Sequence, residues 1–392
     1  SYYTSILLKN KWKFNEYPCF PAALPQPSFS FRTGVFLASV FIFIHISASK
    51  SRLLSGSRQV VPMALLCYTE TGHLLKASSK GACMQTWRGK PYYSLDAFLH
   101  ERFHEKVYKI SLDAGFTCPN RDGTLGTRGC IFCSAGGSGD FAGDRRLSVS
   151  EQIDAQILNI RRKRPVRKFI AYFQAFTNTY APAGQLEPLY REALSRPEIA
   201  ALSVATRPDC LPAPVVDLLA RLNREKPVWV ELGLQTIHER TARYIRRGYP
   251  LSCFVDAVSR LHRAGLDVIV HTILGLPGES EEDMLQTIRF LNPLPVRGVK
   301  LQLLHVLSGT DLAADYQKGL FQVLSEEEYI HLLIRCLEEL RPDLVIHRLT
   351  GDGPKDLLLA PLWSSAKRSV LNKLHHEMAR RPAWQGRLYH TF

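Results

Sequence analysis

The chain has 392 residues, of which 45% are hydrophobic and 22% charged, so it can bury a full core and has the composition of a globular enzyme. Its nine cysteines are an odd number, and most are scattered without the paired spacing of a secreted disulfide scaffold. This excludes a small disulfide-stapled protein and favours a reducing, cytoplasmic location. The formal net charge of +14 suggests a polyanionic partner.

The first 83 residues differ in composition from the rest. They contain two acidic residues, Glu16 and Glu70, against nine lysines or arginines and twelve serines. Their apolar run at residues 35–44 is short for a membrane span, which needs about 20 residues. Three interpretations stay open: upstream sequence that is not native, a targeting peptide that would make the protein organellar, or a membrane anchor. In each of them we expect the folded enzyme to begin near Met84. For the folded enzyme itself we expect no stable membrane association.

Short apolar runs after Met84 predict six strands and a seventh candidate. The runs lie at residues 107–112, 168–173, 201–206, 228–234, 267–273, 299–305 and 344–349. Their near-continuous hydrophobicity is typical of strands buried on both faces, and the gaps can hold crossover helices. Two helix starts carry capping boxes, Ser148 with Glu151 and Ser325 with Glu328. The pattern predicts an α/β fold with a parallel sheet, in the form of a partial barrel whose chemistry lies in the loops after the strands.

The loop after the first predicted strand holds three cysteines. It reads FTCPNRDGTLGTRGCIFCS over residues 116–134 and contains Cys118, Cys130 and Cys133. Thiolates bind zinc and iron, and two residues between the last two cysteines let both sulfurs approach one centre. A structural zinc site needs a fourth ligand, but no further Cys or His occurs before residue 150. Two interpretations follow: a zinc-stabilised, non-catalytic nucleic-acid-binding module, or a 4Fe-4S cluster whose fourth iron is left to bind a small molecule.

The cysteine loop resembles that of the radical S-adenosylmethionine (radical SAM) superfamily. That superfamily commonly has three residues between the first two cysteines, whereas this chain has eleven, residues 119–129. The catalytic subunit of Elongator and its relatives share this departure. With KPYYSL upstream and YFQAFTNTYAP downstream, the loop is similar to the YhcC/YtqA-type bacterial branch, and the match spans residues 87–381.

The resemblance implies a fold, two cofactors and their ligands. The fold would be a partial (β/α)6-type radical SAM barrel over residues 84–325, followed by a C-terminal α/β extension with a basic helix over residues 326–392. Cys118, Cys130 and Cys133 would bind the 4Fe-4S cluster. In the family, the reduced cluster cleaves S-adenosylmethionine (SAM) to methionine and a 5'-deoxyadenosyl radical.

Five residues are candidates for SAM contacts. Gln174 ends the second strand, where many relatives carry Gly-Gly-Glu. Glu231 and Gln235 are polar groups on the apolar fourth strand, and they either satisfy one another inside the barrel or, as the resemblance favours, contact SAM. Gly275 and Gly278 follow the fifth strand and resemble the adenine-side motif of the superfamily, since glycines let the backbone approach a planar ring.

A basic run, RRKRPVRK, precedes the second strand and is a candidate RNA-binding segment. Its members are Arg161, Arg162, Lys163, Arg164, Arg167 and Lys168. The Elongator-like relatives act on wobble uridines of tRNA, so the resemblance implies an enzyme that modifies a wobble-uridine side chain of tRNA. The alternative within the superfamily is a small metabolite or a peptide as substrate. The resemblance also implies an electron donor such as flavodoxin or ferredoxin.

Overall fold

The computed structural model describes residues 66–68, 74–77, 83–137, 139–351 and 353–390. The apolar run at residues 35–44 therefore lies outside the described residues. The described part begins with three short strands, β1 (Leu66–Tyr68), β2 (Leu74–Ala77) and β3 (Cys83–Gln85), which pair in an antiparallel sheet. The domain boundaries proposed after residues 83 and 325 stay predictions. Within the described ranges, no helix is long and apolar enough to cross a membrane.

The rest of the described chain alternates strands with helices. The strands are β4 (Val107–Leu112), β5 (Lys168–Phe173), β6 (Ile199–Thr206), β7 (Val228–Gln235), β8 (Asp267–Leu274), β9 (Gly298–Leu303), β10 (Val306–Leu307), β11 (Val345–Arg348) and β12 (Leu358–Ala360). The helices are α1 (Leu95–Phe103), α2 (Val149–Arg161), α3 (Ala183–Ser195), α4 (Ala213–Asn223), α5 (Glu239–Tyr244), α6 (Leu251–Arg263), α7 (Glu281–Leu291), α8 (Asp311–Gln317), α9 (Glu326–Glu339) and α10 (Lys367–Arg380).

Seven of these strands form one parallel sheet in the order β11-β9-β8-β7-β6-β5-β4. Each strand predicted from the sequence is present, and its ends agree with the prediction within two residues. The candidate seventh strand is β11, at one edge of the sheet, while β4 forms the other edge. The predicted partial barrel is therefore confirmed, with seven strands rather than six. Strands β10 and β12 form a separate antiparallel pair that the sequence did not predict.

The outer face of the sheet packs against the helices. Its apolar side chains join the main hydrophobic core, as do the stripes of the helices that cross back over the sheet. Both predicted capping boxes are formed: Ser148 accepts from the Glu151 backbone N–H at the start of α2, and Ser325 does so with Glu328 at the start of α9. These boxes satisfy backbone donors that a helix start otherwise leaves without partners.

The inner face of the barrel is built in three layers, because every second residue of a strand points inward. The deepest layer is apolar and consists of Val107, Ile170, Ala201, Trp229, Ile269 and Val345, closed from below by Phe98 of α1. Two residues further along each strand comes a polar layer of Lys109, Tyr172, Ser203, Glu231, His271 and His347, to which β9 contributes Lys300. The third layer borders the cavities described below.

The edge strands β4 and β11 leave a seam in the barrel wall. The segment before α1 lies beside β11, where the Ile346 N–H donates to the Tyr93 carbonyl at 2.7 Å. From the C-terminus, Gln385 donates to the Leu344 carbonyl at 2.8 Å. The seam is thus bordered by segments that come from both ends of the described chain.

Candidate active site

The loop between β4 and α2 gathers the three cysteines despite their uneven spacing. The long segment between Cys118 and Cys130 folds back on itself, because the Gly129 N–H donates to the Asn120 carbonyl at 2.7 Å. The chain therefore returns beside Cys118 before it reaches Cys130. A tight turn follows, in which the Cys133 N–H donates to the Cys130 carbonyl at 3.1 Å.

The three cysteines line one cavity of about 170 Å³ at the carboxyl ends of the strands, which we call the cysteine cavity. Within the described part of the chain, no three His, Cys, Asp or Glu side chains are spaced to hold a single metal ion. The thiols instead border a space between them. This donor set fits a polynuclear iron-sulfur cluster, in which each thiolate binds a different iron.

The thiols differ in their readiness to ionise. The pKa of Cys130 is lowered to about 6, chiefly because the Cys133 thiol donates a hydrogen bond to it, and Asn120 and Arg207 add to the effect. The pKa of Cys133 is raised well above its usual value by the same hydrogen bond and by burial. The amide of Asn120 donates to the Cys130 sulfur at 3.4 Å and to the Arg246 carbonyl at 2.7 Å. The thiolate, which is the metal-binding form, is therefore favoured at Cys130.

The structure brings two of the five SAM candidates to this cavity. Glu231 and Gln235 both line it. Gln174 borders a neighbouring cavity. Gly275 and Gly278 lie in the loop between β8 and α7 and are not among the described lining residues of either cavity. The role of each in SAM binding stays a prediction.

At the end of β7, a glycine makes room for two polar side chains. Gly233 lines the cavity, and a Cβ atom there would lie 2.7 Å from the Gln235 amide nitrogen and 3.2 Å from the Tyr249 hydroxyl. The Tyr249 hydroxyl donates to the Gly233 carbonyl at 2.9 Å and to the Gln235 side-chain oxygen at 3.2 Å. The tyrosine thus fixes the side chain of Gln235 at the cavity wall.

Glu231 is the centre of a buried ion network. Its carboxylate is fully buried and forms ion pairs with Lys109 and Lys300. It also accepts from the Ser203 hydroxyl at 2.6 Å and lies 2.7 Å from His271 Nε2. Burial alone would raise the pKa of Glu231, but the two ammonium groups hold it well below its usual value. The partners of Glu231 are thus Lys109, Lys300, Ser203 and His271, whereas that of Gln235 is Tyr249.

A second cavity adjoins the cysteine cavity, and a third adjoins the second. The central cavity has about 640 Å³ and shares Cys133, His271 and Gln302 with it. The seam cavity has about 370 Å³, lies between β4 and β11, and shares Tyr172 and Lys300 with the central cavity. The central cavity has the size of a small-molecule or nucleotide site, so a substrate can lie next to the cofactors there.

The predicted RNA-binding run lies at the amino ends of the strands, beside the edge strand β4. Arg161 ends α2, and Lys168 begins β5 and pairs with Val107, the first residue of β4. The cysteines follow the last residue of β4. Because the strands are parallel, the basic run and the cysteine cavity face opposite ends of the barrel. RNA binding by this run stays a prediction, and the structure does not bring the run to the candidate active site.

The sequence reasoning missed the buried lysines Lys109 and Lys300. Each is a charged residue in an otherwise apolar strand, VYKISL and GVKLQL. A lysine in such a strand needs a buried anion, and Glu231 in VELGLQ is the matching charge. That signal was present in the sequence, although only the curling of the sheet pairs the three residues.

Comparisons with known proteins identify the family of this chain. The model of the radical SAM superfamily matches residues 123–291, and that of the Radical_SAM C-terminal domain matches residues 296–380. Protein YtqA of Bacillus subtilis is 45% identical over 300 residues, which are 76% of this chain and 93% of YtqA.

Two more distant proteins match part of their own length. A tRNA uridine(34) acetyltransferase of Methanocaldococcus jannaschii is 31% identical over 179 residues, 44% of this chain and 31% of that protein. The solved structure of archaeal Methanocaldococcus infernus Elp3 has a TM-score of 0.55 at 17% identity and covers 71% of this chain and 64% of its own. That likeness shows the fold. By its match to YtqA, the chain belongs to the YhcC/YtqA-type branch of the radical SAM superfamily, whose members use a 4Fe-4S cluster and SAM.

Proposed function

We propose that this radical SAM enzyme modifies a wobble-uridine side chain of tRNA, with Cys118, Cys130 and Cys133 as the cluster ligands. The observation that carries the proposal is that these thiols line one cavity that opens into a nucleotide-sized second cavity. When bound, the cluster and SAM supply a carbon-centred radical that takes a hydrogen atom from the substrate. An external one-electron donor, such as flavodoxin or ferredoxin, recharges the cluster.

The chain's own residues would bind and orient SAM. At the end of β7 the Gln235 side chain lines the cysteine cavity and is fixed by Tyr249, so its amide can be offered to a ribose hydroxyl of SAM. The carboxylate of Glu231 is already bound by two lysines. We therefore assign it to holding the polar layer beneath SAM rather than to a direct contact.

Two observations support tRNA as the substrate. The relative with 31% identity is named as an enzyme of tRNA uridine 34, and this chain carries a net charge of +14. The alternative, a small metabolite or peptide, is favoured by the position of the basic run, because Arg161–Arg164 lie away from the cavities.

The test is mass spectrometry of nucleosides from total tRNA in cells that lack the gene. The cells are complemented with the wild-type gene, with Cys130→Ala, or with Cys253→Ala as a control for a cysteine outside the loop. We expect a modified uridine to vanish without the gene, its precursor to accumulate, and the wild type and Cys253→Ala alone to restore it. Identical nucleoside profiles in all strains would refute tRNA as the substrate.

A further inference from the structure

The seam cavity extends the central cavity away from the cysteine cavity and towards the edge strands. The two cavities meet along Ser111, Tyr172 and Lys300. A substrate that presents one carbon to SAM in the central cavity therefore reaches the seam cavity with another of its groups. The chemistry of the seam cavity indicates what that group is.

The floor of the seam cavity carries an excess of positive charge. The ammonium groups of Lys109 and Lys300 lie 4.4 and 4.6 Å from the centre of the Tyr172 ring and share a single carboxylate, that of Glu231. Burial lowers the pKa of His271 to about 4, so this neighbour of the carboxylate is neutral. When both lysines are protonated, the network has two cations for one anion. Burial also lowers the pKa of Lys300 to about 7, and a further anion would hold it protonated.

The wall of the seam cavity holds polar groups that are buried without partners. Thr350 is only 3% exposed, and no hydrogen-bond partner for its hydroxyl lies among the described residues. The same is true of Nδ1 of His347. Buried polar atoms normally have a partner, so both are suited to a polar group of a ligand.

We propose that the seam cavity binds an anionic group of the substrate, a phosphate or a carboxylate, between Lys109, Lys300 and Thr350. The proposal rests on the proposed function only in placing the substrate in the central cavity. If the substrate is tRNA, the anion is a phosphate or an acidic uridine substituent; if it is a small metabolite, the anion is the metabolite's own acid group. Binding the anion away from the reacting carbon would fix which hydrogen faces SAM.

The experiment is calorimetric titration of the holoenzyme with SAM bound, at constant ionic strength. The probes are inorganic phosphate, malonate and uridine monophosphate, with uridine as the uncharged counterpart of the last. We expect saturable binding of at least one anion, and uridine monophosphate bound at least about tenfold more tightly than uridine if phosphate is the group recognised. Tighter binding of malonate than of phosphate would identify a carboxylate.

Three variants locate the binding. Lys300→Met leaves Glu231 with one lysine, so the buried charge stays balanced, and we expect about a tenfold loss of anion affinity. Thr350→Val keeps the shape of the side chain, and we expect a loss of several-fold. Lys226→Met is the control, because Lys226 is half-buried, does not line the seam cavity, and donates to the Leu194 and Arg196 carbonyls. We expect it to bind anions like the wild type.

The proposal fails if none of the three anions binds saturably, or if Lys300→Met and Thr350→Val both bind them like the wild type. Its failure is distinct from that of the tRNA proposal. Unchanged tRNA nucleosides together with anion binding that depends on Lys300 would refute tRNA and leave the anion site standing. A uridine modification that depends on the gene, without anion binding, would support tRNA as the substrate and refute the anion site.

Discussion

Glu231→Gln tests whether the buried carboxylate stabilises the barrel. The substitution keeps the shape of the side chain and lets the amide still meet Ser203 and His271, but it leaves Lys109 and Lys300 without their counter-charge. Breaking a buried ion pair in this way costs about 3 to 5 kcal/mol. For roughly 300 ordered residues the unfolding entropy is about 0.6 kcal/mol per kelvin, so we expect Tm to fall by about 5 to 8 °C.

The assay is thermal unfolding of the anaerobic holoenzyme, followed by far-UV circular dichroism. We expect a larger deficit at pH 6.5 than at pH 9, because Lys300, with a pKa of about 7, sheds its charge as the pH rises. Glu187→Gln is the control, because Glu187 also forms ion pairs with two cations, Arg191 and Arg221, but does so at the protein surface. We expect its Tm to equal that of the wild type. If Glu231→Gln has the same Tm as Glu187→Gln, the stability of the polar layer does not depend on the Glu231 carboxylate and the reasoning is wrong.

Three further outcomes follow from the site. Cys130→Ala should reduce bound iron from about four atoms to near zero, while Cys253→Ala keeps it; equal iron in both would contradict the ligand assignment. Asn120→Ala removes an N–H donor to the Cys130 sulfur. It should lower the cluster midpoint potential by about 60 mV, equivalent to about 1.4 kcal/mol, in a titration monitored by electron paramagnetic resonance; an unchanged potential would contradict this role. The pKa of His271 is about 4 in the fold against 6.5 unfolded, so below pH 6.5 the unfolded chain binds more protons and stability falls. Between pH 6.5 and 5 we expect the free energy of unfolding, measured with denaturant, to fall by about 1.6 kcal/mol. His271→Asn should reduce this fall, and an equal pH dependence in the two proteins would refute the assignment.

The sequence alone determined the strands and the cysteine motif. Runs such as KFIAYF are apolar at almost every position, which suits only a strand buried on both faces, and β5 has the predicted bounds, Lys168–Phe173. The capping boxes mark helix starts because their hydrogen bonds join residues three apart in the chain. Cys118, Cys130 and Cys133 were recognisable because they lie in one loop. All of these signals are local, so they can be read without knowing the fold.

Only the tertiary structure decided how distant polar residues combine. Lys109, Glu231 and Lys300 come from β4, β7 and β9, and they meet because the sheet curls and every second residue points inward. The basic run beginning at Arg161 has the composition of an RNA-binding segment, but strand direction places it at the opposite end of the barrel from the cysteines. The number of charged residues in a segment can be counted from the sequence. The position of those charges in the protein depends on the order and direction of the strands, which a short stretch of sequence does not specify.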